Sequence, residues 1–457
     1  MSSFDYAPDL PSRKIVHMYV VRYTSSFQSL VFPVIGGSLF ANTLDLAYGP
    51  RHAFGHASAK ACVYSFLSFV TLFGFDDVVH GAAGWSSYAS ASQILIPHII
   101  QETTVDGVQS LLMLALFQYF LGHLQQATAS ISIVTRLLYI LGAHRLPTDE
   151  NPAVYMSSYN KGTLKCHLRD LFWLCYSLDK DICLRTGQPP CIDDSECNLS
   201  LPADYVQLQN SNIQQESIIP DDYTQPLFPW DLRLSIIKSE AYRTLYSANA
   251  RLKTNSEIIS GIRHLDAALE QWRLSLQPDI RPILCVSGEM ALKTSPNTQE
   301  AILRLAYYHC VIIIHQASGR CKLSRAEPGN VFEGISSSIS LSIAASRSSL
   351  SLIQSALPML KGECFWVVLF YALTAILTIF CDIVKDPLQI SSNTNVKLLY
   401  DVPTLMCKIP IRYLTPVEIM HLKFLDGFTT ELARLGRCAI SKAQEELHVP
   451  REEPIAG

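Results

Sequence analysis

Charge is scarce in this chain, and the charge it has does not cluster. Lys, Arg, Asp and Glu make up 17 % of the 457 residues, and 36 basic against 40 acidic side chains leave a net charge of -4. The basic residues form no block, so the electrostatic footprint of a nucleic-acid binder is missing and sequence-independent affinity for DNA is not expected. The thirteen cysteines contain no Cys-x-x-Cys pair, and no secretory pattern is read after Met1. That points to free, mostly buried thiols in a reducing compartment. There is no GxGxxG and no GxSxG, which removes the common dinucleotide and hydrolase signatures. The stretch GPRHAFGHASAK, Gly49 to Lys60, fails as a phosphate loop because five residues separate its glycines and His56 stands where lysine should follow. Strand-like alternation is nearly absent, and no repeat of fixed period is found.

Helical periodicity fills the space these absences leave, in a chain that is 49 % hydrophobic. The expected fold is all-α, a large multi-helix bundle or array with a long irregular loop region in the middle. A helix is expected from Val105, with Asp106 in its first turn and Gly122 near its end. A second, about Gln125 to Leu141, stops at Gly142, and the short connection makes the two an antiparallel pair. A third runs from Leu164 to Thr186, with Leu164, Leu168, Phe172, Cys175, Leu178 and Ile182 on one stripe. Polar, proline-punctuated residues 206–231 read as a linker or surface loop. Ile258, Ile262, Leu265, Leu269, Trp272 and Leu276 then follow an a/d pattern, read as one helix of an antiparallel bundle. Further helices are expected near Gln299–Ala317, Ser336–Ala356, Cys364–Val384 and Pro416–Leu435, with a charged tail over 436–457. The uncharged run Cys364 to Cys381 has the minimum length of a membrane span, and is read as a helix buried on all sides.

The densest stretch is Ser177 to Pro202, SLDKDICLRTGQPPCIDDSECNLSLP. Gly187 can take the left-handed conformation after the last helical turn, and Pro189 and Pro190 cannot supply helical amides, so the stretch begins as a corner. Cys183, Cys191 and Cys197 are spaced by eight and six positions, unlike the close pairs of structural zinc sites, and a fourth ligand would have to come from Cys175 or His167. Buried apolar thiols are the favoured reading. Asp193, Asp194 and Glu196 read as caps of loop amides or partners of Arg185. His52 and His56 lie one turn apart, but Asp45 does not complete a metal motif.

Four blocks of this sequence resemble the regulatory, or middle homology, domain of fungal-specific transcription factors of the binuclear zinc cluster family. Ser110 to Arg145 is similar to the helix pair that closes on a Leu-Gly-x-His-Arg turn, here Leu141, Gly142, His144 and Arg145. His167 to Pro202 resembles the most diagnostic segment, with Arg169, Phe172, Trp173, Leu178, Asp179, Gly187, Pro189, Pro190, Ile192, Asp193, Asp194, Leu201 and Pro202 in matching places. The stretch RYTSSFQSLVFPVIGGSLFANTLDLAYG resembles the opening segment, with Gly36 and Gly37 in place of a polar pair. Phe365 to Pro387 is similar to the late buried helix. The resemblance covers residues 9–435, with a signature core at 105–205, a loop at 206–231 and a C-terminal helical part at 232–435.

The resemblance implies a non-enzymatic nuclear regulator of RNA polymerase II transcription that senses an effector. Co-regulators or the transcription machinery, a small-molecule effector, and homo- or heterodimers with related factors are the partners it implies; no membrane is among them. The six-cysteine cluster that holds two zinc ions and reads DNA in this family has no counterpart in the sequence, nor has its basic import signal. No cofactor and no direct DNA binding are therefore expected of this chain. The competing class is a helical enzyme whose site is assembled from dispersed residues such as His144, Cys175 and the corner acids. A third is a membrane-associated protein anchored by Cys364 to Cys381.

Overall fold

The computed structural model describes residues 9–74, 83–146, 163–202, 204–213, 219–220, 223–284, 296–321, 329–360, 365–406 and 416–448. Among the described residues there are seventeen α-helices and no strand, so the fold is all-α. The chain divides into two compact units. The first is Met1–Ser247 together with Leu274–Pro278; the second is Ala248–Arg273 together with Asp279–Gly457.

In the first unit α1 (Arg13–Thr24), α2 (Gln28–Val31) and α3 (Gly37–Ala47) lead into α4 (His56–Thr71), which packs against α3, α5 (Ala83–Ile94) and α7 (Val105–Phe120). Every residue of α4 from His56 to Val70 except Lys60 is buried. Its small residues allow this close approach: the hydroxyls of Ser65, Ser92 and Ser110 meet at 2.6 to 3.1 Å and satisfy one another where three helices touch. On the same face Tyr23, Phe32, Phe66 and Phe69 pack largely edge to face, and the Tyr23 hydroxyl donates to the Phe32 carbonyl at 2.6 Å. Between α5 and α7 runs the short α6 (Ile96–Gln101). Thr104 caps α7 by accepting from the Gly107 amide at 3.1 Å, and α7 turns at Gly122 into its neighbour α8 (Leu124–Ile140). The long α9 (Leu164–Thr186), α10 (Tyr205–Ile213) and α11 (Leu232–Ala241) complete the unit. α11 continues into a π turn at Tyr242–Tyr246. Residues 206–213, which composition assigned to the irregular stretch, are thus helical.

The second unit contains α12 (Asn255–Ser275), α13 (Thr298–Gln316), α14 (Gly329–Ala356), α15 (Phe365–Lys385), α16 (Ser392–Met406) and α17 (Pro416–His448). The a/d residues Ile258, Ile262, Leu265, Leu269 and Trp272 of α12 are buried, and Trp272 stacks on Tyr307 of α13 with ring centres 5.8 Å apart. The last residues of α12 and those after it, Leu274–Pro278, belong to the first unit. There the Arg233 guanidinium donates to the Ser275 hydroxyl at 2.6 Å and Leu276 is buried.

α15 departs from the sequence reading. It packs on α13, α14, α16 and α17 through Val368, Ala372, Ala375, Ile376, Ile379 and Ile383, while the face carrying Leu377, Cys381 and Val384 is exposed. Of its most apolar eighteen-residue window only 56 % is buried, because its neighbours flank it on one side only. It is the one helix among the described residues long and apolar enough to cross a membrane. α17 runs on past Leu435 to His448, so residues 436–448, which composition assigned to a tail, are helical, with Lys442 and Glu446 3.9 Å apart one turn along it.

Candidate functional site

α9 is apolar enough to be a core helix, yet it also takes charge inside. Arg169, Asp170, Asp179, Lys180 and Asp181 are all buried, beside the wholly buried Phe172, Trp173, Cys175 and Tyr176. A buried charge without partners is costly, so these groups must be paired, and the pairing builds the corner.

Three clusters do this. Asp179 accepts the backbone amides of Cys191 at 2.8 Å and Ile192 at 3.1 Å, holding the loop after the helix. Lys180 donates to the Ile192 carbonyl, lies 3.3 Å from Asp179 and 3.4 Å from Asp194, and sits 4.8 Å over the Tyr176 ring. Asp181 points the other way, accepting from the Tyr119 hydroxyl at 2.6 Å, Arg185 at 2.5 Å and Lys238 of α11 at 2.6 Å. Farther up the helix, Arg169 stacks on Phe172 and Trp173 and donates to the carbonyls of Ala143, Asn198 and Ser200. The Asn198 amide donates to the His144 carbonyl at 2.9 Å, so the turn after α8 and the end of the corner loop share one clamp.

The electrostatics follow this geometry. Burial works to raise the Asp181 carboxyl, but Arg185 and Lys238 outweigh it and hold it below the usual carboxylate range. Asp179 is raised by burial despite Lys180 and the two amides. Burial pushes the Cys183 thiol up to about 12 and raises Cys175, Cys191 and Cys197 as well, which disfavours the thiolate form that a nucleophile needs. His144 is lowered by burial and by Arg145 and Arg169. Among the described residues no group of three or more His, Cys, Asp or Glu is placed to hold a metal ion.

The family model of the fungal specific transcription factor domain matches residues 61–274, which span the whole of this corner and both of its partner helices. Those residues are a fungal specific transcription factor domain. Similar proteins include ABC-transporter-regulating transcription factors of Aspergillus fumigatus, 27 % identical, and Aspergillus oryzae, 26 % identical, each over 81 % of this chain and 41 % of the relative. An uncharacterised transcriptional regulatory protein of Schizosaccharomyces pombe is 22 % identical over 88 % of this chain and 51 % of its own length. The chain thus spans about two fifths of the length of the Aspergillus proteins. No solved structure matches it.

Within the fungal transcription factor domain, the residues singled out in the sequence separate into those the fold gathers and those it does not. Gly142, at φ +74°, turns the chain after Leu141 so that Ala143 and His144 reach the Arg169 clamp, while Arg145 stays exposed. Gly187 ends α9 at φ +69°, its amide bonded to the Cys183 carbonyl at 2.9 Å, and Pro189 follows it at the surface. Pro190 is half-buried, and the carbonyl of Pro202 accepts the Tyr205 amide. Asp193 caps a short 3-10 turn through Ser195, and Asp194 meets Lys180 and Tyr176. Arg185 pairs with Asp181, not with the loop acids, because it lies one helical turn after Asp181 on the same face. Lys180, Asp181, Tyr119 and Lys238 were not marked in the sequence; the signal was present in three consecutive charges, Asp179-Lys180-Asp181, set in an apolar helix. Cys191 lies 3.2 Å from the Ser132 hydroxyl and Cys197 3.7 Å from that of Tyr139, each beside a side chain of α8.

Elsewhere, the His56 ring bonds to the Leu46 carbonyl at 2.9 Å and Asp45 pairs with Arg13. In the second unit Asp266, His315 and Ser338 line up at 3.4 and 3.2 Å, the sequence of groups used by hydrolytic triads. Here the acid is half-exposed while His315 and Ser338 are buried, the reverse of a site that presents its hydroxyl to a substrate. The relatives named above are transcription regulators, and no enzyme reading is supported.

Proposed function

We propose that this chain is the regulatory, effector-responsive part of a fungal transcription regulator and works without catalysis, in the nucleus, by presenting or hiding a surface for co-regulators. The observation that carries the reading is the buried ionic corner inside the matched domain. A carboxylate shared by Tyr119, Arg185 and Lys238 joins α7, α9 and α11, and such a satisfied network can fix one helix arrangement over others. α11 passes from this pairing directly into the π turn at Tyr242–Tyr246, a wider register that often accompanies functional positions. Shifts among these helices under a small molecule or protein partner are the means of control in this reading. The Aspergillus relatives are named for regulating ABC transporters; genes of export are accordingly the first targets to examine. No cofactor is assigned to this chain, zinc belonging to the DNA-reading cluster of the longer family members.

The chain fused to a heterologous DNA-binding domain should change output from a reporter bearing that domain's operator, relative to the DNA-binding domain alone. A well-expressed, folded and nuclear fusion with the same output as the DNA-binding domain alone, with and without efflux-inducing compounds, would overturn the reading.

A further inference from the structure

We propose that Lys60 is a site of covalent acylation, an amine that takes an acetyl group from an acyl thioester. The inference goes beyond the regulatory reading and does not depend on it. Lys60 is the one residue between His56 and Val70 of α4 that is not buried. Its side chain is half-buried, and among the described residues none bonds to or pairs with its ammonium, which lies 5.7 Å over the centre of the Tyr64 ring.

The elements around α4 surround this amine with phenols. Tyr88 of α5 stacks beside Tyr64 with ring centres 6.1 Å apart, and Tyr48, just past the end of α3, donates its hydroxyl to the Pro11 carbonyl. Tyr19 of α1 adjoins Tyr88. Burial raises the phenols of Tyr48, Tyr64 and Tyr88 above their ordinary value, and neighbouring phenols add to it, so they stay neutral and offer the ammonium no counter-charge. The charged groups that face Lys60 are Arg51, in the turn between α3 and α4, and Asp9. Burial and Arg51 together lower the amine from its ordinary value, and Asp9 opposes them.

Lysine reacts as the neutral amine, and partial desolvation beside another cation is the setting that supplies it near neutral pH. The Nζ lone pair forms a bond to the thioester carbonyl carbon. The carbon–sulfur bond breaks, its electron pair leaves with sulfur, and the proton shed by nitrogen neutralises the departing thiolate. No electron is transferred to or from any other group. The product is a neutral, planar amide, which removes the charge opposed by Arg51 and leaves a flat group to lie against the Tyr64 ring in place of the ammonium. A lysine that only carries its charged end past an apolar stem to water behaves differently, because its reactivity ranks with its exposure.

The test uses the full chain, incubated with acetyl coenzyme A at about pH 7.5, with acetylation of each lysine followed in time by peptide mass spectrometry. Lys60 should react about fivefold or more faster than Lys14, Lys397 and Lys442, although those three are exposed and it is not. In the urea-unfolded chain this preference should vanish, since the fold creates it. Arg51→Gln should slow Lys60 by about twofold and Asp9→Asn should speed it by about twofold, each effect shrinking in high salt and leaving Lys397 unchanged. Both substitutions are at exposed positions, so the fold is retained. Acetylation of Lys60 no faster than that of the three exposed lysines would overturn the proposal. So would a preference that survives unfolding, or a Lys60 rate indifferent to both Arg51→Gln and Asp9→Asn.

Discussion

A Cβ placed at Gly187 would meet nothing within 4 Å, yet the residue holds φ at +69°. The demand at this position is conformational, not steric, so replacements should rank by their tolerance of the left-handed region. Gly187→Val should destabilise by more than about 1 kcal/mol and Gly187→Asn by less, measured as shifts in thermal unfolding. Asp181 sits at the opposite extreme, with its cost set entirely by neighbours. Asp181→Asn removes the negative charge from between Arg185 and Lys238 and should cost about 3–5 kcal/mol. The sign with pH follows from its lowered folded value. The stability it supplies is complete above the ordinary carboxylate range and is lost as pH falls through that range toward the folded value. Asp179 and Asp106, raised by burial, act with the opposite sign, binding protons more readily in the folded state. Unfolding midpoints followed from about pH 6 downward should therefore fall more steeply below about pH 4 in the parent than in Asp181→Asn.

Among elements, the meeting of α6 and α7 leaves the least room. A Cβ on Gly107 would lie 2.7 Å from the Ile99 Cγ2, a branched methyl that cannot swing aside. Gly107→Ala should destabilise by about 1–3 kcal/mol despite the better helix propensity of alanine, and Ile99→Leu, which moves the branch outward, should recover part of the loss in urea titrations of the double variant. Most helices were legible from their periodicity: α7, α8, α9, α12, α13 and α15 fall within a few residues of their expected spans, and α14 starts seven residues before its expected Ser336, since stripes of three and four report burial directly. What periodicity misses is position in three dimensions. α15 looks the same in sequence whether enclosed or open on one side, because nothing in an uncharged run records how many neighbours surround it. The site was half legible. Gly142, Gly187, Arg169 and Asp179 follow from turn chemistry and family resemblance, whereas Asp181 takes its meaning from Tyr119 and Lys238, residues 62 and 57 positions away that no local pattern connects.

At the scale of the whole molecule, a net charge of -4 with no block of basic residues gives the phosphate backbone nothing to attract it. A gel shift against random and enriched duplexes should show no sequence-selective binding, and any weak binding should vanish with salt. Tight, selective binding by the isolated chain would contradict this. The path of the chain through its two units has a practical counterpart. The backbone leaves the first unit at Ser247, returns for Leu274–Pro278 and leaves again. Cloning boundaries drawn by sequence position alone will therefore misdivide it. A fragment ending at Ser247 would lack Ser275, the hydroxyl that Arg233 reaches, and the buried Leu276, while one beginning at Ala248 would carry five residues whose native surroundings were left in the other tube. Only an excision that keeps Leu274–Pro278 with the first unit, by circular permutation or by co-expression of a complementing peptide, would yield halves that match the folded parts.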